Sequence, residues 1–178
     1  MDNDLYAFSL RLGERESGNK YLCVNKFGFI GKYQMGKPRL WDLGISIDSW
    51  KPKWYLLPNR HLILTRGQFL SNPLLQEQTF QKHVKLHLAL IKRKYLQYVG
   101  FNINGIHITE SGMMAGLHLK GEGSSKYPGL KQFLKEETNS TDGLGTTIAE
   151  YVFKFAGYDL RDEIRFYVLL ENLKNPNT

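Results

Sequence analysis

Apolar residues recur along the chain at two different rhythms, and the change of rhythm marks its elements. In Asp4 to Ser17, Leu5, Phe8 and Leu12 fall on one helical face, and Gly18-Asn19 supplies the stop. Tyr21 to Gly36 breaks that period. Gly28, Gly31 and Gly36 punctuate Val24, Phe27, Phe29, Ile30 and Tyr33, which predicts a short hairpin or an irregular loop. Pro38 to Leu43 starts a short helix, and Ser46 to Arg66, with Trp50, Pro52, Trp54 and Pro58, reads as loop.

The clearest helix opens at Asn72-Pro73, a capping residue followed by a proline suited to the first turn. Its stripe is Leu74, Leu75, Val84, Leu88 and Ile91, running on to Tyr98, and its basic end (Lys92, Arg93, Lys94) suits a helix C-terminus. Thr109 or Ser111 caps a helix over 112–120, and a short helix is expected over 127–134. The polar stretch 136–145 is loop, and Thr147 with Glu150 forms a capping box for a helix through Phe155. A C-terminal helix and polar tail are expected within 160–178. The pattern predicts one mainly helical (α+β) domain over 1–178, with no internal repeat.

Composition narrows the picture. With 178 residues and 42% hydrophobic side chains, the chain can bury a real core. Cys23 is the single cysteine, so no disulfide forms within the chain and no cysteine-based metal spacing exists. No metal and no cofactor are expected. The net charge of +7 points to an acidic partner: nucleic acid, anionic membrane or anionic polysaccharide. The Lys and Arg residues are scattered and form no nucleic-acid motif, so nucleic acid is not the expected partner. No apolar run is long enough for a membrane span, and the N-terminal residues lack the pattern of a signal peptide.

Glu16-Ser17-Gly18 stands where the first helix meets the glycine-rich segment. A carboxyl at such a junction can be half-buried and still face a cleft, and partial burial of a carboxyl favours its protonated form. The run Glu16-Ser17-Gly18-Asn19-Lys20-Tyr21, then Val24-Asn25, then Gly31-Lys32-Tyr33-Gln34, resembles the catalytic segment of lysozyme-like lytic transglycosylases. In that family a Glu-Ser pair ends a helix, an Asn follows, and a Gly-x-x-Gln motif comes next. Ala115 to Gly123 resembles the third family motif, a helix running into Gly-x-Gly. Thr147 to Val152 resembles the fourth, with its Tyr-Val pair. The four segments keep the family's order across residues 14–158.

The resemblance implies a lysozyme-like fold with a small hairpin or irregular glycine-rich segment beside the catalytic helix. It implies Glu16 as the catalytic acid and Tyr151 as the tyrosine whose hydroxyl contacts that carboxyl. Ser17, Asn25, Tyr33, Gln34 and His118 are the implied substrate-binding positions. His118 and Leu119 stand where many members carry Tyr-Asn, a departure that touches the third motif's substrate contacts. The expected substrate is peptidoglycan, in an open groove, with Trp50, Trp54 and Tyr33 as candidate sugar-stacking residues.

Glycoside cleavage usually uses two carboxyl groups, although a substrate acetamido group can replace one. A transglycosylase needs Glu16 alone. A hydrolytic muramidase needs a second carboxylate, for which Glu14, Asp42, Glu122 and Asp142 are available, Glu122 as a flexible loop carboxylate between two glycines. A peptidoglycan-binding module without activity is the alternative of another class. The expected place of action is the periplasm or cell wall. It would be reached through a secretion system, a phage lysis route or as part of a larger protein, and an injected effector would bring an inhibitor or immunity protein as partner.

Overall fold

The structure is a computed structural model that describes residues 4–47 and 62–175. It is mainly helical, as the pattern predicts. Its elements are α1 (Leu5–Ser17), α2 (Lys37–Asp42), β1 (Ile45–Ile47), β2 (Leu62–Leu64), α3 (Arg66–Leu70), α4 (Pro73–Lys94), β3 (Asn102–Ile103), β4 (Ile106–His107), α5 (Glu110–Lys120), α6 (Leu130–Leu134), α7 (Ile148–Lys154) and α8 (Ile164–Lys174). A 3₁₀ turn at Leu96–Tyr98 follows α4, where the sequence pattern extends the helix itself. Among the described residues no helix is long and apolar enough to cross a membrane. The chain divides into two compact units, Met1–Phe8 with Val84–Glu163 and Ser9–His83 with Ile164–Thr178.

In the first unit, Asp4 Oδ1 accepts from the Ala7 amide and so caps the first turn of α1. Phe8 meets Phe155 and Tyr158 edge-on. The centre of the unit is α5 against α7. A Cβ on Gly112 would lie 2.5 Å from the Val152 carbonyl, and one on Gly116 would lie 3.1 Å from Leu130. These two glycines, one turn apart, let α7 and its neighbours approach the α5 backbone. Thr109 is the α5 cap. Ser111 instead accepts from the Tyr158 amide. Thr147 and Glu150 form both bonds of the capping box at α7. β3 and β4 form a tight antiparallel hairpin around Asn104-Gly105, both at positive φ. An Asn-Gly pair between short apolar runs is a strong hairpin signal, and the sequence reading passed over it.

In the second unit, β1 and β2 pair in parallel, with Ile45 opposite Leu62 and Ile47 opposite Leu64. This corrects the reading of 46–66 as loop at both its ends. Trp50 and Trp54 lie outside the described residues. α3 begins at once after β2, with a capping box of Thr65 and Gln68 that the loop reading also missed. The core gathers Leu12, Leu40, Phe69, Phe80 and, from α8, Phe166 and Leu170. Asn72 caps α4 as expected, its Oδ1 accepting from the Leu75 amide at 2.9 Å.

The buried stripe of α4 differs from the one its leucines suggest. Gln76, Glu77, Phe80, His83, Val84, His87 and Ile91 are buried, while Leu74, Leu75 and Leu88 are only half-buried. With Thr79, also buried, five polar side chains of α4 thus occupy core positions. Buried polar groups are tolerated where partners satisfy them, and two of these five organise the candidate site.

Candidate functional site

The end of α1 is built by a backbone reversal. Gly18 and Asn19 both adopt positive φ, and their amides bond back to the carbonyls of Glu14 and Gly13 at 3.0 Å each. The reversal brings Asn19 over Gly13 so closely that a Cβ there would lie 2.4 Å from Asn19 Oδ1. Glu16 is half-buried in this last turn. Ser17, beside it, donates to the Lys32 carbonyl at 2.7 Å and accepts from the Lys20 amide at 3.0 Å. The hydroxyl of Ser17 therefore pins the helix end to the Gly31–Gln34 motif.

The glycine-rich segment forms an irregular hairpin. Val24 bridges Ile30, and Ile30 bridges Met35. Asn25 turns the chain: its Oδ1 accepts from the amides of Phe27 and Phe29 at 2.9 and 3.1 Å. Gln34 is buried at φ 44°, and its Nε2 donates to the Gly31 carbonyl at 2.8 Å. Gln34 Oε1 is buried with no hydrogen-bond partner among the described residues. Such an atom costs free energy unless something meets it.

Two residues of α4 lock this segment. Gln76 Oε1 accepts from the Lys32 amide at 2.9 Å, while Gln76 Nε2 donates to the Phe69 and Leu70 carbonyls at 3.0 and 3.1 Å. Gly31 is required here, since a Cβ would lie 2.4 Å from Gln76 Oε1. Glu77 has no solvent exposure and accepts three bonds. They come from Lys32 Nζ at 2.8 Å and Tyr21 Oη at 2.7 Å on Oε1, and from Tyr33 Oη at 2.6 Å on Oε2. Lys32 Nζ also lies 4.9 Å from the centre of the Tyr33 ring and 5.5 Å from that of Tyr21.

Tyr33 is thereby corrected as a sugar-stacking residue. Its ring is buried and stacked on Phe80, with centroids 3.8 Å apart. Both the ring face and the hydroxyl are occupied within the core. Burial, then the charge and hydrogen bond of Glu77, push its pKa well above the usual tyrosine range, against an opposing bond from Ser9.

Glu16, Ser17, Asn25, Tyr33 and Gln34 all belong to the second unit. His118 and Tyr151 belong to the first. His118 is half-buried near the end of α5, and Tyr151 is buried on α7 with its ring 5.3 Å from that of Phe155. Sequence reasoning missed Gln76 and Glu77, because a Gln-Glu-Gln run on an amphipathic helix reads as a solvated face. The usable signal was their spacing, one turn before Phe80.

The other carboxylates have local partners. Glu14 accepts from Asn19 Nδ2 at 3.1 Å. Asp42 pairs with Arg39 at 3.6 Å. Asp142 Oδ1 accepts from the amides of Leu144 and Thr146, both at 2.8 Å, closing a turn. Glu122 accepts from Lys94 Nζ at 2.8 Å and Tyr95 Oη at 2.6 Å, and these bonds hold its pKa below the ordinary carboxylate value. The loop around Glu122 is packed backbone to backbone, with Gly123 against Gly129. Glu122 is therefore a tethered carboxylate and not the flexible one expected between two glycines. Among the described residues no group of three or more His, Cys, Asp or Glu side chains could hold a metal ion. No protein-family model, curated protein or solved structure matches the chain.

Proposed function

We propose that the protein cleaves the glycan strands of peptidoglycan at the β-1,4 bond after the muramoyl sugar, as a lytic transglycosylase with Glu16 as its acid and base. The observation that carries this reading is the setting of Glu16. It is half-buried at the end of α1, next to a serine bonded to the Gly-x-x-Gln segment. A catalytic carboxyl has to be held by its surroundings within a narrow range of position. Ser17, Lys32, Gln76 and Glu77 form a continuous set of bonds that starts at the residue next to it in the chain.

Glu16 first gives its proton to the glycosidic oxygen, which leaves as the hydroxyl of the departing sugar. The substrate's acetamido group assists from the ring, so a second protein carboxylate is not needed. The Glu16 carboxylate then takes the proton of the C6 hydroxyl, whose oxygen closes on C1. The product is a 1,6-anhydro sugar, no water is consumed, and Glu16 ends protonated as it began. Glu14, Asp42, Glu122 and Asp142 each have a local partner, and the transglycosylase route asks for none of them. Tyr151 and His118 enter the reading through the sequence resemblance, as the tyrosine that orients the acid and as a substrate contact. A positive net charge raises the enzyme's concentration at an anionic wall.

The test is release of soluble muropeptides from purified sacculi. The wild type should release them, and Glu16→Gln should not while melting at the same temperature. Retention on sacculi without release by either protein would make the chain a binding module.

A further inference from the structure

The second unit holds a cavity that the reading above does not use. It measures about 710 Å³, and Asn19 through Cys23 form one wall while Leu70, Ser71 and Pro73 form another. That volume lies within the range of small-molecule sites. The cavity opens three residues after Glu16 in the chain and is continuous with the segment that follows the α1 reversal.

Its chemistry is unlike that of a sugar site. Sugars are held by several convergent polar groups, whereas here most polar side-chain atoms are bonded within the fold, and Asn19 Oδ1, which has no hydrogen-bond partner among the described residues, is buried from solvent. Tyr21 donates to Glu77 at 2.7 Å, Ser71 Oγ to the Gln68 carbonyl at 3.4 Å, and Asn19 Nδ2 to Glu14 at 3.1 Å. The remaining lining is largely aliphatic: Leu22, which is 74% exposed, with Leu70 and Pro73, beside the free thiol of Cys23. Lys20 supplies the charge. It is exposed at the rim and has no ion-pair partner among the described residues. The lining fits a ligand with small apolar groups and a carboxylate.

We propose that this cavity binds the peptide stem of peptidoglycan, with alanyl methyl groups against Leu22, Leu70 and Pro73 and a stem carboxylate on Lys20. The assignment rests on the peptidoglycan reading, because the stem is the part of that substrate with this chemistry. It makes the enzyme selective for strands that still carry stems over strands stripped of them.

The test follows the methyl resonances of Leu22 and Leu70 during titration of the wild-type protein with the soluble stem peptide L-alanyl-γ-D-glutamyl-L-lysyl-D-alanine. Both residues should shift. Lys20→Glu should weaken binding by about ten-fold or more through charge repulsion, and Ser71→Trp, which adds a large ring to one wall of the cavity, should weaken it too. An amidated peptide should bind the wild type more weakly than the free acid does, but less weakly than the free acid binds Lys20→Glu, where repulsion adds to the lost attraction. No shift, equal binding of the amidated peptide, or a shift produced instead by chitin oligomers would each overturn the proposal. Sacculus cleavage measured in parallel separates the two claims. Cleavage without stem binding removes only the stem site. Stem binding without cleavage leaves the ligand and removes the transglycosylase.

Discussion

Lys32 Nζ lies 2.8 Å from Glu77 Oε1, with 3% and 0% of the two side chains exposed. Breaking a buried pair from one side leaves the other charge stranded, at a cost of about 3–5 kcal/mol. Glu77→Leu should therefore lose about that much stability in urea denaturation and lower cleavage with it. The double variant Lys32→Met, Glu77→Leu should recover much of the loss, because neither charge is then buried alone. A single variant within about 1 kcal/mol of wild type, the range of an average substitution, would show that the pair does not hold the segment.

Gly13 reverses an ordinary rule. Alanine normally stabilises a helix interior over glycine by about 0.5–1 kcal/mol. Here a Cβ would meet Asn19 Oδ1 at 2.4 Å and Lys32 Cε at 2.7 Å. Neither neighbour can swing away cheaply, since Asn19 is bonded to Glu14 and Lys32 to Glu77. Gly13→Ala should destabilise by about 1–3 kcal/mol, as overpacking does. Gly67→Ala in α3, with no contact nearer than 3.9 Å, should be neutral or stabilising. Thermal melting of the two variants compares the signs directly.

Tyr33 sets an alkaline limit. Its folded pKa is raised above the unfolded value of 10.0. The native state therefore keeps a proton that the unfolded chain gives up, so the contribution is whole below pH 10 and is lost progressively above it. Tyr33→Phe should flatten that alkaline decline. It should also cost about 1.5–3 kcal/mol at neutral pH, because Glu77 loses a donor. Urea titrations at neutral pH and above pH 10 resolve both effects.

The candidate second carboxylates give a further prediction. Glu14→Gln, Asp42→Asn, Glu122→Gln and Asp142→Asn should each leave the cleavage products chemically unchanged. Glu122→Gln should in addition remove a contribution to acid stability. The depressed pKa of Glu122 makes that contribution present above its ordinary value of 4.5 and lost as pH falls through the folded value. A switch of product chemistry in any one variant would identify a hydrolytic partner for Glu16.

The elements legible in the sequence were those written in local chemistry. Asn72 caps α4, Thr147 and Glu150 cap α7, and Gly18-Asn19 ends α1, each through bonds within a few residues. What was hidden depends on distant partners. Glu77 reads as a surface residue until Lys32, Tyr21 and Tyr33 meet it. Tyr33 reads as an exposed aromatic until Phe80 covers it. The β1–β2 pairing joins segments separated by 48–61, and each three-residue strand is too short to carry a period of its own. The Asn104-Gly105 hairpin, by contrast, was legible and passed over.

Mass spectrometry of peptidoglycan digested by the wild type and by Glu16→Gln tests the central claim most directly. Muropeptides ending in 1,6-anhydro sugars should come from the wild type alone. Reducing-end products from the wild type, or anhydro products from both proteins, would contradict Glu16 as the acid of a transglycosylase.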